Sequence, residues 1–410
     1  MADRSVTPAR RRHTALSVCI LTRNGAGRLC TVLDMAAVYA DEIVVGVDAS
    51  SDDGTLDVAW ALADVVFRFE HSGGPEPARM HLLDVASGDW ILSLDDDEAM
   101  DGAFPRLVPG LLADHRVTHY RFPRKWLSGP PEPPRYGRTP PWFPDWQTRM
   151  FRRDRRLVWH SAVRHARFQV IGPASYEPRT SIVHYERRWT TEEERERKIH
   201  AWRRESGGWR FEELYAGIPV EHLVDLEHPP RRIPVRPSRR RPPRQLDHVL
   251  PSRREVVGPW GAKLDVRMPE RIAAGERYVV EVTAENTGVL RWTPPTDPWP
   301  RLFLSYHLLD DFGEIVRWDG ERAPVGRTME SGDRGRFLAV FQAPEEPGEY
   351  LVEWDVVSEG DCWFAEAGSL VARIPVAVVP RPSELAPVGP ATASDPPNAA
   401  VVAGLPFPGR

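Results

Sequence analysis

Lysine is nearly missing from this 410-residue chain. It occurs only at Lys125, Lys198 and Lys263, although lysine and arginine together number 54. Proline is abundant, at 41 residues, and so is alanine, so the bias reads first as genome composition, even though arginine and lysine are not interchangeable at a binding site. Cysteine is equally scarce. Cys19, Cys30 and Cys362 are odd in number, far apart and without a Cys-x-x-Cys pair, which argues against a secreted disulfide framework and a thiolate zinc site. Cys19, inside an apolar run, fits a small buried hydrophobe. Nothing approaches the roughly 20 apolar residues of a membrane helix. The run LSVCILT follows Arg10, Arg11, Arg12 and His13, but Arg23 and Asn24 end it before a signal-peptide core develops. The expectation is a cytoplasmic protein, with its arginines offering peripheral contact at the inner face of the membrane. A net charge of -5 gives no global case for a nucleic-acid partner. No glycine-rich phosphate loop with a following lysine opens the chain, so nucleotidyl transfer ranks low.

The length suits two domains with separate cores. Residues 16–115 alternate: apolar, β-branched runs LSVCIL, EIVVGVD, DVVFRF and WILSLD enclose helix-compatible stretches at 27–40, 54–63 and 76–87. That pattern predicts βαβ units and a mostly parallel α/β sheet, in which ligands bind beyond the carboxyl ends of the strands. Asn24, Asp48 and the acidic cluster Asp95–Glu98 all fall there. The loop 126–146 is dense in proline, arginine and aromatics (Trp126, Tyr136, Trp142, Phe143, Trp146), which fits either a lid over a neighbouring site or a flap packed by its own rings. Thr191 and Glu194 form a capping-box pattern, and Glu194 with Lys198 an i,i+4 pair. Beyond a Pro/Arg-rich stretch the pattern turns all-β. The predicted division is a flexible 1–14, an α/β domain 15–228, a linker 229–257, a β-sandwich of immunoglobulin type 258–380 and a disordered tail 381–410.

Three adjacent carboxylates after a buried-looking strand repel one another. They are tolerated in a solvated loop, or where they hold a hard cation such as Mg²⁺ or Mn²⁺. Residues 16–100 resemble the nucleotide-binding half of a family-2 glycosyltransferase of GT-A fold, through "LSVCILTRNGAGRL", "DEIVVGVDASSDDGT" and "ARMHLLDVASGDWILSLDDDE". The segments "WQTRMFR" and "SIVHYERR" extend the likeness to about residue 205, nearest to bacterial lipopolysaccharide-core β-glucosyltransferases.

That resemblance implies an inverting, metal-dependent enzyme moving a sugar from a nucleotide-diphosphate donor to a cell-envelope glycan, lipid-linked sugar or polysaccharide. It implies Asp95 and Asp97 as the DxD acids, with Asp97 on a divalent cation and Asp95 near the ribose or the ion's waters. Asp96 lies between them on the donor side. It further implies Asp48, Thr22, Arg23 and Asn24 about the nucleobase, Arg79 near the base or diphosphate, and His184 completing the metal or diphosphate site. A divalent ion and an arginine suit this chemistry, because the leaving group is doubly charged. Asp53 and Thr55 read as cap residues instead. The acceptor hydroxyl also needs a general base. The family's V-H-E-like motif is replaced after Val163 by Arg164 and His165, which leaves Asp145 first, with His165 and His160 behind it. The C-terminal part resembles immunoglobulin-like modules of bacterial sugar-modifying enzymes, its tryptophans (Trp292, Trp318, Trp354, Trp363) reading mainly as packing. The competing reading is an inactive glycan-binding or scaffolding protein that uses this sandwich.

Overall fold

The computed structural model describes residues 15–381 except 73, 130–132, 162–165, 207–216, 235–242, 252–257, 298–299, 312 and 314. His165 and the terminal segments 1–14 and 382–410 lie outside the described residues.

Strand β1 (Leu16–Thr22) is buried along its whole length and pairs in parallel with β2 (Glu42–Asp48) and β4 (Trp90–Asp95). A strand covered on both faces needs an unbroken apolar run, which LSVCILT supplies. Helix α1 (Ala26–Ala36) turns Leu29, Val32, Leu33 and Ala36 inward at the spacing of one helical face. Helix α2 (Thr55–Leu62) then leads to β3 (Val65–Phe69), parallel to β2. A 3₁₀ segment Glu76–His81 and the short α3 (Leu82–Val85) return the chain to β4.

After β5 (Glu98–Met100) and α4 (Phe104–Ala113) the sheet changes character. Strand β6 (His119–Trp126) and, after β7 (Arg135–Gly137), β8 (Asp145–Arg152) run antiparallel, and β8 also lies antiparallel against β4. The pair β9 (Val158–Trp159) and β10 (Gln169–Val170) precedes β11 (Ala174–Tyr176) and β12 (Ile182–His184), both parallel to β6. Helices α5 (Glu186–Trp189) and α6 (Glu192–Ser206) follow, then β13 (Leu223–Asp225) against β7 and β14 (Arg244–Leu250). The sheet order is β14-β3-β2-β1-β4-β8-β6-β12-β5, with β11 beside β6. The sheet is therefore parallel through the alternating segment and mixed beyond it.

Two local expectations meet different outcomes. Thr191 and Glu194 cap α6 reciprocally, at 2.8 and 3.2 Å. Lys198, however, reaches Glu186 at 2.5 Å rather than Glu194. The Pro/Arg-rich stretch is not a spacer throughout, since β14 within it pairs in parallel with β3. The aromatic loop packs only partly on itself: Tyr136 meets Phe143 at 5.6 Å, whereas Trp126 meets His184 at 4.3 Å, Trp142 meets His222 at 6.0 Å and Trp146 meets Tyr176 at 4.9 Å.

The C-terminal part forms two sheets. Strands β15 (Ala262–Arg267), β17 (Arg277–Asn286) and β21 (Arg334–Gln342) make one. The other runs β16 (Arg271–Ala273), β24 (Ala372–Val379), β22 (Gly348–Ser358), β18 (Leu302–Asp310), β19 (Ile315–Arg317), with β20 (Ala323–Pro324) and β23 (Cys362–Trp363) at its margins. Both contribute to a single core that includes Val282, Phe341, Leu304 and Trp354. Trp292 and Trp354 are fully buried and Trp363 nearly so, whereas Trp318 is 38% exposed. Among the described residues no helix is long and apolar enough to cross a membrane.

Candidate active site

The carboxyl ends of β1, β2 and β4 meet at one edge of the sheet, and short polar bonds lock their loops together. Asn24 has a positive φ of 47°, a conformation asparagine tolerates better than most residues. Its Oδ1 accepts from the Asp52 amide at 3.0 Å, joining the loop after β1 to the loop after β2. Gly25 follows because nothing larger fits: a Cβ there would stand 2.3 Å from Thr22 Oγ1. Asp53 accepts from the Thr55 and Ala26 amides at 3.1 and 3.0 Å, serving the helix starts as the cap reading expects. Among the described residues Arg23 makes no side-chain hydrogen bond, but its carbonyl accepts from Arg28 at 3.5 Å.

Asp48, at the end of β2, is buried. One oxygen accepts from the Ser50 amide and hydroxyl at 2.9 and 2.8 Å, and the other lies 2.7 Å from His71 Nδ1. Burial alone would raise its pKa, but His71 and Ser50 together hold the carboxyl below its usual value.

The three acids after Leu94 are each drawn in a different direction. Asp95 faces two guanidinium groups, Arg79 Nη2 and Arg149 Nη2, each at 2.6 Å. Desolvation works against its charge, yet Arg149 and Arg79 outweigh it and keep the carboxyl well below the usual range. The same Arg149 nitrogen reaches the fully buried Glu98 at 2.8 Å, and Arg124 reaches Glu98 at 3.1 Å. Asp96 accepts from Thr22 Oγ1 at 2.5 Å and Arg28 at 2.8 Å. Burial nevertheless leaves its pKa raised.

Asp97 turns away from the arginines toward β12 and α5. Its carboxylate, His184 and Glu186 each offer an atom, and these atoms all lie within 4.8 Å of one another. His184 Nε2 is 3.5 Å from Asp97 Oδ2. Burial and the neighbouring Glu186 carboxylate push Asp97 well above its usual pKa. Burial and Arg124 push His184 down to about 4, so the imidazole is neutral at physiological pH. Among the described residues its buried Nδ1 has no hydrogen-bond partner. A neutral imidazole beside two crowded carboxylates is a donor set suited to a divalent cation, which would relieve the repulsion that raises Asp97. Asp95 stands outside this trio.

Asp145, at the start of β8, accepts from Arg124 Nη2 at 2.7 Å, the Trp126 indole at 3.0 Å and the Gln147 amide at 2.6 Å. Burial opposes its charge, but Arg124 and the other donors bring its pKa down to about 2. Arg124 thus links Asp145 to Glu98 and, through Arg149, to Asp95. His160 is buried against Phe168, with Nδ1 2.7 Å from the Ser161 carbonyl, and burial holds it neutral.

Strand limits in the sequence locate the acids but not the side chains that meet them. Arg28, Arg124, Arg149, His71 and Glu186 complete the site. Arg149 lies inside "WQTRMFR" and Glu186 two residues after His184 in "VHYE", so the signals were in quoted motifs, but nothing local says which acid each one meets. Residues 17–172 match the family model for glycosyl transferase family 2. That segment holds the strand ends just described up to Asp145, and the mixed sheet is consistent with a GT-A fold.

Likenesses to solved structures are looser. S. aureus TarS residues 1–349 align at 23% identity over 29% of this chain and 38% of that one, with a TM-score of 0.25. Full-length S. aureus TarS aligns at 13% identity over 88% of this chain and 77% of that one, with a TM-score of 0.31. A CARDB domain from Pyrococcus furiosus aligns at 14% identity over 30% of this chain and 94% of that one, with a TM-score of 0.21. This chain thus spans well under half of the TarS 1–349 structure.

Proposed function

We propose that the chain is an inverting, metal-dependent glycosyltransferase that moves a sugar from a nucleotide-diphosphate donor to a cell-envelope glycan, lipid-linked sugar or polysaccharide. The observation that carries the reading is the convergence of Asp97, His184 and Glu186 beside the strand ends that carry Asn24 and Asp48. Asp97, His184 and Glu186 would hold the cation, Mg²⁺ or Mn²⁺. When bound, such an ion neutralises negative charge on a departing diphosphate. Arg79 and Arg149, fixed by Asp95, set positive charge at the same edge and would orient the donor phosphates, while Asp48, Thr22, Arg23 and Asn24 would border the base. Asp96 acts with Arg28 as a strut for the loop after β1.

Asp145 is the proposed base, with His165 second. Its donors keep it ionised, ready to receive a proton, although they also weaken its basicity. The division into a catalytic domain and a C-terminal sandwich of immunoglobulin type, and a cytoplasmic place at the membrane's inner face, belong to the same proposal.

The test is isothermal titration of the full chain with Mn²⁺ and a panel of nucleotide diphosphates, followed by donor-hydrolysis assays. Asp97→Ala should abolish metal-dependent turnover while circular dichroism stays native. Full activity of that variant in EDTA would end the metal reading.

A further inference from the structure

A cavity of about 200 Å³ opens where the α/β sheet meets the C-terminal sheets. Its aromatic wall comes from both sides. Trp146 and Tyr176 stand edge to face with centroids 4.9 Å apart, and Phe168 and Trp260 complete the lining. Its polar wall also crosses the junction. Arg121 pairs with Asp361 and donates to the Tyr176 hydroxyl at 2.8 Å, while Arg167 stands 3.6 Å from Glu366.

Two cations and two anions leave the cavity without net charge. His119, which also lines it, is held neutral because burial and Arg121 push its pKa down to about 3. An anionic ligand would therefore gain no net attraction. A neutral polyhydroxylated one can use the donors and acceptors of this wall together. Flat rings for C–H faces with planar amide, carboxylate and guanidinium groups for hydroxyls describe a sugar-binding wall. A space of this size suits one sugar ring rather than an oligosaccharide.

The cavity also touches the donor site. Phe168 lies 5.9 Å beneath the Arg79 guanidinium, which grips Asp95, and Trp146 follows Asp145 in β8.

We propose that this junction holds one neutral pyranose unit of the acceptor glycan, beyond the unit being extended. The acceptor role rests on the transferase reading above; the sugar site itself rests on the cavity.

The experiment uses a glycan array of neutral and acidic oligosaccharides, probed with the full chain and no nucleotide, beside Mn²⁺-dependent donor hydrolysis. Tyr176 is 46% exposed, so replacing it leaves the cores intact. Wild type should bind neutral glycans in preference to acidic ones. Tyr176→Ala should weaken that binding at least tenfold and leave donor hydrolysis unchanged, while Tyr176→Phe, which keeps the ring, should retain most of it. Absence of neutral-glycan binding, preference for acidic glycans, or undiminished binding by Tyr176→Ala would each overturn the site. Absence of donor hydrolysis in the wild type would instead overturn the transferase reading, and with it the acceptor role, whatever the array shows.

Discussion

Arg149 Nη2 lies 2.6 Å from Asp95 Oδ2, so the first acid of the cluster is anchored from β8, the antiparallel neighbour of its own strand. The same nitrogen serves Glu98, which is completely buried. Arg149→Met would leave Glu98 with Arg124 alone and Asp95 with Arg79 alone. Breaking a buried pair from one side costs on the order of 3–5 kcal/mol, and urea unfolding should show a loss of that size. Arg149→Lys keeps the charge but not the fork, and should fall between the two. A Met variant as stable as wild type would mean that the network is slack.

Lys198 neutralises Glu186 at 2.5 Å from a half-exposed position on α6. If Glu186 is a ligand, removing that competitor should strengthen cation binding. Lys198→Met is expected to tighten Mn²⁺ two- to fivefold, in line with the up to ~1 kcal/mol of an exposed pair. Unchanged or weaker Mn²⁺ affinity by titration calorimetry would take Glu186 out of the site.

The two base candidates differ in their pH profiles. Asp145 has a pKa of about 2 and stays ionised above it. As the base it would leave kcat/KM flat from about pH 4 to pH 7 on its own account, whereas an ordinary histidine at position 165 would lose activity below about pH 6.5. Profiles of wild type, Asp145→Asn and His165→Gln discriminate them: the acid limb should vanish only in the variant that removes its source.

Asp355 is fully buried in β22, and burial raises its pKa to about 8 despite amide donors from Val356 and Ala365 at 2.7 and 2.9 Å. The folded chain therefore keeps a proton that the unfolded chain releases above about pH 4. Stability from this residue is greatest below that pH and declines as pH climbs to about 8, with a slope of up to about 1.4 kcal/mol per pH unit. Asp355→Asn should flatten the decline. Melting temperatures of both proteins at pH 5 and pH 8 measure it.

The parallel half of the sheet was legible because its strands are covered on both faces and must be continuously apolar, as in LSVCIL and EIVVGVD. The acids at the ends of β1, β2 and β4 were legible for the same reason, since their positions follow from strand limits. Their arginines were not. Arg149 is 54 residues from Asp95, and only the antiparallel insertion of β8 beside β4 brings them together. Lys198 shows the limit of local rules: i,i+4 spacing pointed to Glu194, but the buried carboxylate of Glu186 is the stronger attractor. Strand β14 was hidden by composition, because prolines and arginines around it suggested a chain without partners.

That last strand has a practical consequence. With β14 in place, that side of β3 is paired at Val65, Val66, Arg68 and Phe69, with an irregularity in β14 between Gln245 and Val249. A shortened chain ending at residue 228 would strip them bare, and an open edge of Val65, Val66 and Phe67 invites another molecule to add itself there. Truncations meant to isolate the α/β half should retain Leu250 if they are to stay monodisperse.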